Sequence, residues 1–198
     1  MIIFALRNTI SLIGLILVLP LLIIISFFIY LEDGLPIFFK QKRFGIDEKE
    51  FTIFKIRTMK ENAPELGTHD VDEIFQLRTG KVIRALKLDE FPQLLNVLKG
   101  DVNLVGPRPG LISQGKLRNE RCNKNIFSIK PGITGLAQIL GYNMSDPVKL
   151  AEIDRVYMDN QTIHLDTLIL FGTFVSAFRG RISSKLGIEI KKGNENVR

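Results

Sequence analysis

Lys87-Leu88-Asp89-Glu90-Phe91-Pro92-Gln93-Leu94-Leu95-Asn96-Val97-Leu98-Lys99-Gly100-Asp101 is the stretch around which the chain organises. Phe91, Leu94, Leu95 and Leu98 recur at i, i+3, i+4 and i+7, which predicts one apolar helical face. Asp89 has the chemistry of an N-cap, Pro92 falls where a missing N–H costs little, and Gly100 is a C-terminal stop. The plain reading is a capped helix whose Glu90 complements the dipole. A second reading comes from the neighbours. Arg84 and Lys87 precede the two carboxylates, and Gly106-Pro107-Arg108-Pro109 follows a short Val102–Val105 strand. Carboxylates, helix amides and arginines together suit an anionic substrate held with a divalent metal.

Outward toward the N-terminus, Ile10 to Tyr30 carries no charge and is mostly Ile, Leu, Val and Phe. As a helix these residues reach about 31 Å, one hydrocarbon thickness. The run lacks the small-residue cleavage site of a signal peptide, so a retained membrane segment is expected. Pro20 at its middle allows two topologies: a single span, or a re-entrant helix that enters and leaves on one face. Lys40, Lys42, Arg43, Lys49, Lys55, Arg57 and Lys60 follow closely. Under either topology they predict that the remainder faces the cytoplasm.

The 198 residues leave room for one domain beside this segment. A net charge of +6 and a pI near 9.5 could serve nucleic acid. No zinc spacing, nucleic-acid motif or stacking pattern supports that partner, whereas anionic headgroups and phosphorylated substrates need only the charge. The single cysteine, Cys122, excludes an intramolecular disulfide. Neither it nor His69 and His164 forms a metal or triad motif.

Two strands are expected at Ile37–Arg43 and Phe51–Met59, joined as a hairpin through Gly45–Lys49. Lys55 and Arg57 then share an otherwise apolar strand face, unusual for a core strand. Lys60–Gly80 reads as a polar loop or lid with a brief helix, and Lys81–Leu88 as a basic helix. Ser113–Lys124 is expected to be an exposed helix. Lys130–Gln138, with Pro131, Gly132 and Gly135, permits a turn and close backbone approach to a ligand. Asp146–Asp159 predicts a helix with Pro147 in its first turn. Thr167–Phe178 is apolar but too short to span, with Leu168, Phe171, Val175 and Phe178 on one face and Arg179, Arg181 and Lys185 following. It packs in a core or lies in the membrane interface. The tail 191–198 is polar.

Taken in order, these motifs resemble one family. The N-terminal apolar segment, Phe38-Phe39-Lys40-Gln41-Lys42-Arg43-Phe44-Gly45, Phe54-Lys55-Ile56-Arg57-Thr58-Met59, Leu88–Leu94, Gly106–Pro109 and Lys130–Gln138 are similar to the bacterial sugar transferases, in their small monotopic phosphoglycosyl transferase form. The resemblance runs from about Arg7 to Ser184. It implies a mixed α/β fold, helix-rich with a small hairpin or sheet. A re-entrant membrane helix (1–31) would precede one cytoplasmic catalytic domain (32–190) with interfacial amphipathic helices.

The resemblance also implies an activity in the bacterial inner membrane. A sugar 1-phosphate would pass from a UDP-sugar to undecaprenyl or another polyprenyl phosphate, releasing UMP, as the first membrane step of a surface glycan. Asp89 would be the nucleophile, forming a phosphosugar–aspartate intermediate. Glu90, with Asp89, would bind Mg2+. Arg108, flanked by Pro107 and Pro109, would hold phosphate with Lys55, Arg57 and Arg84. Phosphoryl transfer asks mainly for positioning and charge neutralisation, which these groups provide. The expected partners are donor, lipid acceptor and inner-membrane phospholipid. A homo-oligomer is compatible with the sequence. Asp154, Tyr157 and Asp166 match family positions without an assigned role. Leu19-Pro20 stands where members often have Ser-Pro, and Ser11 where an aspartate is common. The alternative is a non-catalytic membrane-anchored module that binds anionic lipid or a partner. In that case Asn and Gln could replace Asp89 and Glu90 without loss.

Overall fold

The computed structural model describes residues 2–63 and 73–191. The middle of the expected Lys60–Gly80 loop, His69 and tail residues 192–198 lie outside them. The chain forms two compact units: residues 1–42 with 52–100, and residues 43–51 with 101–198. Mixed α/β character is borne out, with many helices and, among the described residues, two small two-stranded sheets.

In the first unit, helix α1 runs unbroken from Ile2 to Asp33 with Pro20 inside it. Its apolar part is long enough to cross a membrane by length and composition. Its inward stripe is spaced by threes and fours: Ser11, Leu22, Ile25 and Ile29 are buried, Val18 is partly buried, and Asp33 continues the row. At Gly14 an added Cβ would stand 3.4 Å from Leu94 Cδ1. This is one helical face, and it packs on Ile56, Leu77, Ile83, Leu88 and Phe91. The other faces stay exposed, Leu17 to 74%.

The hairpin expected from sequence is present as β1 (Phe38–Phe44) and β2 (Glu50–Ile56), and the second strand ends three residues early. Its turn residues, 43–51, belong to the second unit. After β2 come a short 3-10 turn at Glu73–Phe75 and helix α2 (Arg78–Ala85). The expected basic helix therefore starts three residues earlier than its sequence reading. Glu32, near the end of α1, accepts from Arg78 N (2.6 Å) and Thr79 N (3.0 Å). It thereby satisfies free amides of the first turn of α2.

Lys87 adopts the left-handed conformation (φ 56°), then Leu88–Gln93 forms a 3-10 turn before α3 (Leu94–Lys99). Asp89 therefore sits inside that turn and is not an N-cap, a correction to the sequence reading. Gly100 ends the helix at φ 85°, as expected. The buried face is also shifted: Leu94, Asn96 and Val97 are buried while Leu95 is exposed. The 3-10 turn rotates the register relative to a continuous helix.

In the second unit, β3 (Asn103–Val105) pairs in parallel with β4 (Gly132–Thr134), Asn103 opposite Gly132 and Val105 opposite Thr134. The close approach foreseen at Gly132 and Gly135 is real, but its partner is the chain itself. A Cβ at Gly132 would overlap Val105 and Gly106 backbone, and one at Gly135 the Gly106 carbonyl. Helices α4 (Gly115–Asn123), α5 (Leu136–Ile139), α6 (Pro147–Asp159), α7 (Ile163–Phe174) and α8 (Ser176–Leu186) complete the unit. α6 begins as read, with Asp146 accepting from Lys149 N at 3.1 Å and Pro147 in the first turn. The core gathers around α6, from Leu150, Ile153 and Tyr157 to Leu140, Leu165, Ile169 and Ile182. Each such fully buried aliphatic side chain contributes about 1.5–3 kcal/mol. The apolar run 167–178 is not one helix, because Val175 is extended (φ −121°, ψ 113°) and separates α7 from α8.

Candidate active site

The carboxylates expected to carry the chemistry lie in the first unit, on the 3-10 turn that rests against α1 through Leu88 and Phe91. Lys55, on β2, brings its Nζ to 2.9 Å from Glu90 Oε1 and 4.0 Å from Asp89 Oδ2. All three side chains are 13–20% exposed, sheltered yet reachable. Arg84, near the end of α2, donates from Nε to Thr58 Oγ1 at 2.7 Å. Burial pulls its guanidinium below the usual value, and the Asp89 carboxylate pushes it back up. The group still carries its charge. Lys55 and Arg84 thus present two cations to two adjacent carboxylates.

Asn96 fixes the strand that carries Lys55. It is fully buried, accepts from Phe54 N at 3.1 Å and donates to Thr52 O at 2.7 Å. Its amide fills the place of a neighbouring strand on either side of Ile53. Nothing in the local pattern announced this role. A lone polar residue between Leu95 and Val97 on a helix was the available signal.

Arg57 is placed differently from its sequence assignment to phosphate. It is 4% exposed, donates from Nη1 to Asp33 Oδ2 (3.0 Å), and from Nη2 to the carbonyls of Asp33 (3.0 Å) and Gly34 (2.7 Å). The fork closes on the C-terminal end of α1, where free carbonyls attract a cation. This explains a cation just past the end of β2.

Pro107, Arg108 and Pro109 belong to the second unit. Four consecutive carbonyls of this segment each accept a hydrogen bond: Pro107 from Gly132 N (2.9 Å), Arg108 from Arg121 Nη1 (2.8 Å), Pro109 from Arg43 Nη1 (3.2 Å) and Gly110 from Phe44 N (3.3 Å). The two prolines fix φ on both sides of Arg108, and Pro109 holds Arg108 itself to extended backbone. The segment is therefore rigid through its main chain.

Sequence reasoning missed Arg121. Expected on an exposed helix, it is 3% exposed and donates from Nε (3.0 Å) and Nη2 (2.7 Å) to Asp154 Oδ2. Tyr157, one turn further along α6, donates to Asp166 Oδ1 at 2.8 Å, with Val105 O a weaker acceptor at 3.4 Å. Burial, then Asp166, pushes the phenol well above its usual value, so it stays a donor. Burial likewise raises Asp166, against the pull of the Tyr157 hydroxyl.

Among the described residues, no three His, Cys, Asp or Glu side chains converge as a metal cage. Two adjacent carboxylates still fit Mg2+, which keeps most of its waters and takes one or two carboxylates together with substrate phosphates.

A family model described as bacterial sugar transferase matches residues 3–180. A Bacillus subtilis protein named uncharacterized sugar transferase EpsL is 47% identical over 140 residues, 71% of this chain and 69% of its own length. The UDP-N-acetylgalactosamine-undecaprenyl-phosphate N-acetylgalactosaminephosphotransferase of Aeromonas hydrophila is 35% identical, over 81% of this chain and 40% of its own. The UDP-glucose:undecaprenyl-phosphate glucose-1-phosphate transferase of Klebsiella pneumoniae is 34% identical, over 83% and 37%. The chain thus spans about two fifths of the length of the latter two.

Proposed function

The chain belongs to the bacterial sugar transferase family, and from that premise we propose that it transfers a sugar 1-phosphate from a UDP-sugar to undecaprenyl phosphate, releasing UMP. The observation that carries this reading is the Asp89–Glu90 pair faced by Lys55, on a turn packed against the apolar helix α1.

In the first step an Asp89 carboxylate oxygen attacks the β-phosphorus of the donor. The bond from that phosphorus to the bridging oxygen breaks, and UMP leaves with the electron pair. In the second, a phosphate oxygen of the lipid attacks the same phosphorus and Asp89 recovers its carboxylate. Splitting one hard transfer into two lets the soluble donor leave before the lipid arrives. Lys55 and Arg84 neutralise the charge that gathers on the phosphoryl oxygens. Mg2+, when held by Glu90 and Asp89, neutralises the donor diphosphate. Arg108 holds donor phosphate.

We further read α1 as re-entrant, with the rest of the chain on the cytoplasmic side of the inner membrane. The inward stripe argues against the simple span. From Gly14 to Ile29, about 22 Å of helix, one face of α1 packs on elements of its own unit. A simple span would draw the elements packed on that face into a hydrocarbon core of about 30 Å. The exposed Phe171 and Phe174, close in sequence to Arg179 and Arg181, suit the interface with phospholipid.

The test is UMP release by the full chain in nanodiscs with Mg2+ and a panel of UDP-sugars, with and without undecaprenyl phosphate. Sustained turnover that requires the lipid supports the reading. Sustained turnover without it would make water the acceptor, and normal function of the Asp89→Asn, Glu90→Gln variant would favour a binding module.

A further inference from the structure

We propose that Arg121 is a positioning residue for Arg108, held in place by Asp154, and that α6 is the platform from which the Pro-Arg-Pro segment is set. The inference rests on the reading that Arg108 holds donor phosphate.

Three observations carry it. Arg121 spends Nε and Nη2 on a single oxygen of Asp154 and turns Nη1 to the Arg108 carbonyl at 2.8 Å. Both members of the pair are almost fully buried, 3% and 2% exposed, so the pair holds one geometry, away from competing water. Asp154 and Tyr157 lie three apart on one face of α6. Tyr157 reaches Asp166 and stands by the carbonyl of Val105, the last residue of β3. One helix therefore reaches the backbone on both sides of Gly106, beside Val105 through Tyr157 and at Arg108 by way of Arg121 on α4. With Arg108 held to extended backbone by Pro109, anchoring its carbonyl sets the direction in which its side chain leaves the main chain. A buried ion pair is a weak way to stabilise a core, because well-packed apolar residues often do as well. Directing a third donor at one carbonyl is something an apolar pair cannot do.

That difference supplies the test. The paired substitution Arg121→Met with Asp154→Leu fills the same space without charge and removes only the donor to Arg108 O. Arg121→Lys keeps the charge but cannot reach both partners. Each is made alone and combined with Arg108→Ala in the full chain in nanodiscs. The donor is whichever of UDP-glucose, UDP-galactose and UDP-N-acetylgalactosamine the native chain turns over. The paired variant is expected to melt close to the native chain while its donor KM rises roughly tenfold or more, as for loss of one oriented phosphate contact. Added to Arg108→Ala, it costs little further, because the two act through one contact.

A folded paired variant with native donor KM would overturn the proposal. So would losses that add fully to those of Arg108→Ala. A paired variant that cannot be purified folded would show the pair to be a requirement of the fold itself, and overturns it too. Failure of the functional reading is seen separately: the native chain would then turn over none of the donors, and the role given to Arg108 would fall with it.

Discussion

Lys55 on β2 and Glu90 on the 3-10 turn meet at 2.9 Å, with Asp89 Oδ2 at 4.0 Å from the same ammonium. One cation therefore serves two adjacent carboxylates, and the strand and the turn are tied at the point where the chemistry is proposed. Lys55→Met should keep the fold and lower kcat about 100-fold, the usual cost of one oriented charge in such a site. UMP release and thermal melting measured together check this. A native kcat would remove Lys55 from the mechanism.

Arg57 and Asp33 give the next prediction. Arg57→Met leaves Asp33 and two carbonyls without their donor and should cost about 3 kcal/mol, read from chemical unfolding in detergent. Arg57→Lys restores the charge but not the fork, so it should recover only part of the loss. If instead both variants melt normally and raise donor KM, Arg57 is a phosphate ligand as its motif suggested.

Asn96 holds two backbone groups of β2. Asn96→Leu keeps the volume but leaves Phe54 N and Thr52 O unpaired in a buried place, a cost of about 3 kcal/mol. The expected outcome is a large drop in unfolding midpoint. A change of only a few tenths would mean that the strand is held elsewhere.

How much of this could be read beforehand depended on sequence distance. The hairpin, the Pro147 helix and the Gly100 stop were legible because their signals are local: alternation, a cap and a left-handed glycine. Asp89 as a cap was misread because the reversal falls two residues earlier, on Lys87, a residue type that seldom adopts positive φ. The run 167–178 hides a break at Val175, whose β-branched side chain is at home in extended backbone. Asn96, Arg57 and Arg121 were opaque for another reason. Their partners lie 13 to 44 residues away, and one sequence does not pair them. Asp154, Tyr157 and Asp166 were visible as family positions, but Asp154 works on the distant Arg121 guanidinium, and Tyr157 and Asp166 work on each other.

Asp166 makes stability depend on pH. Burial raises its carboxyl above the ordinary value, so the folded chain binds this proton more tightly than the unfolded chain. Its contribution is full below the ordinary carboxylate value and is lost as pH rises through the raised one. Asp166→Asn should flatten that decline in denaturant melts as pH rises from the ordinary carboxylate value through the raised one. Tyr157→Phe, which removes the donor that lowers Asp166, should carry the decline to higher pH. The same slope in all three proteins would contradict this origin.

The most direct measurement is the intact mass of the full chain in nanodiscs after exposure to Mg2+ and a UDP-sugar, before any lipid phosphate is added. The native chain should gain the mass of one sugar phosphate while releasing an equivalent of UMP, and undecaprenyl phosphate should then discharge it. Asp89→Asn should gain nothing and release nothing. Native turnover by Asp89→Asn, or an adduct that undecaprenyl phosphate cannot discharge, would contradict a transfer that passes through Asp89.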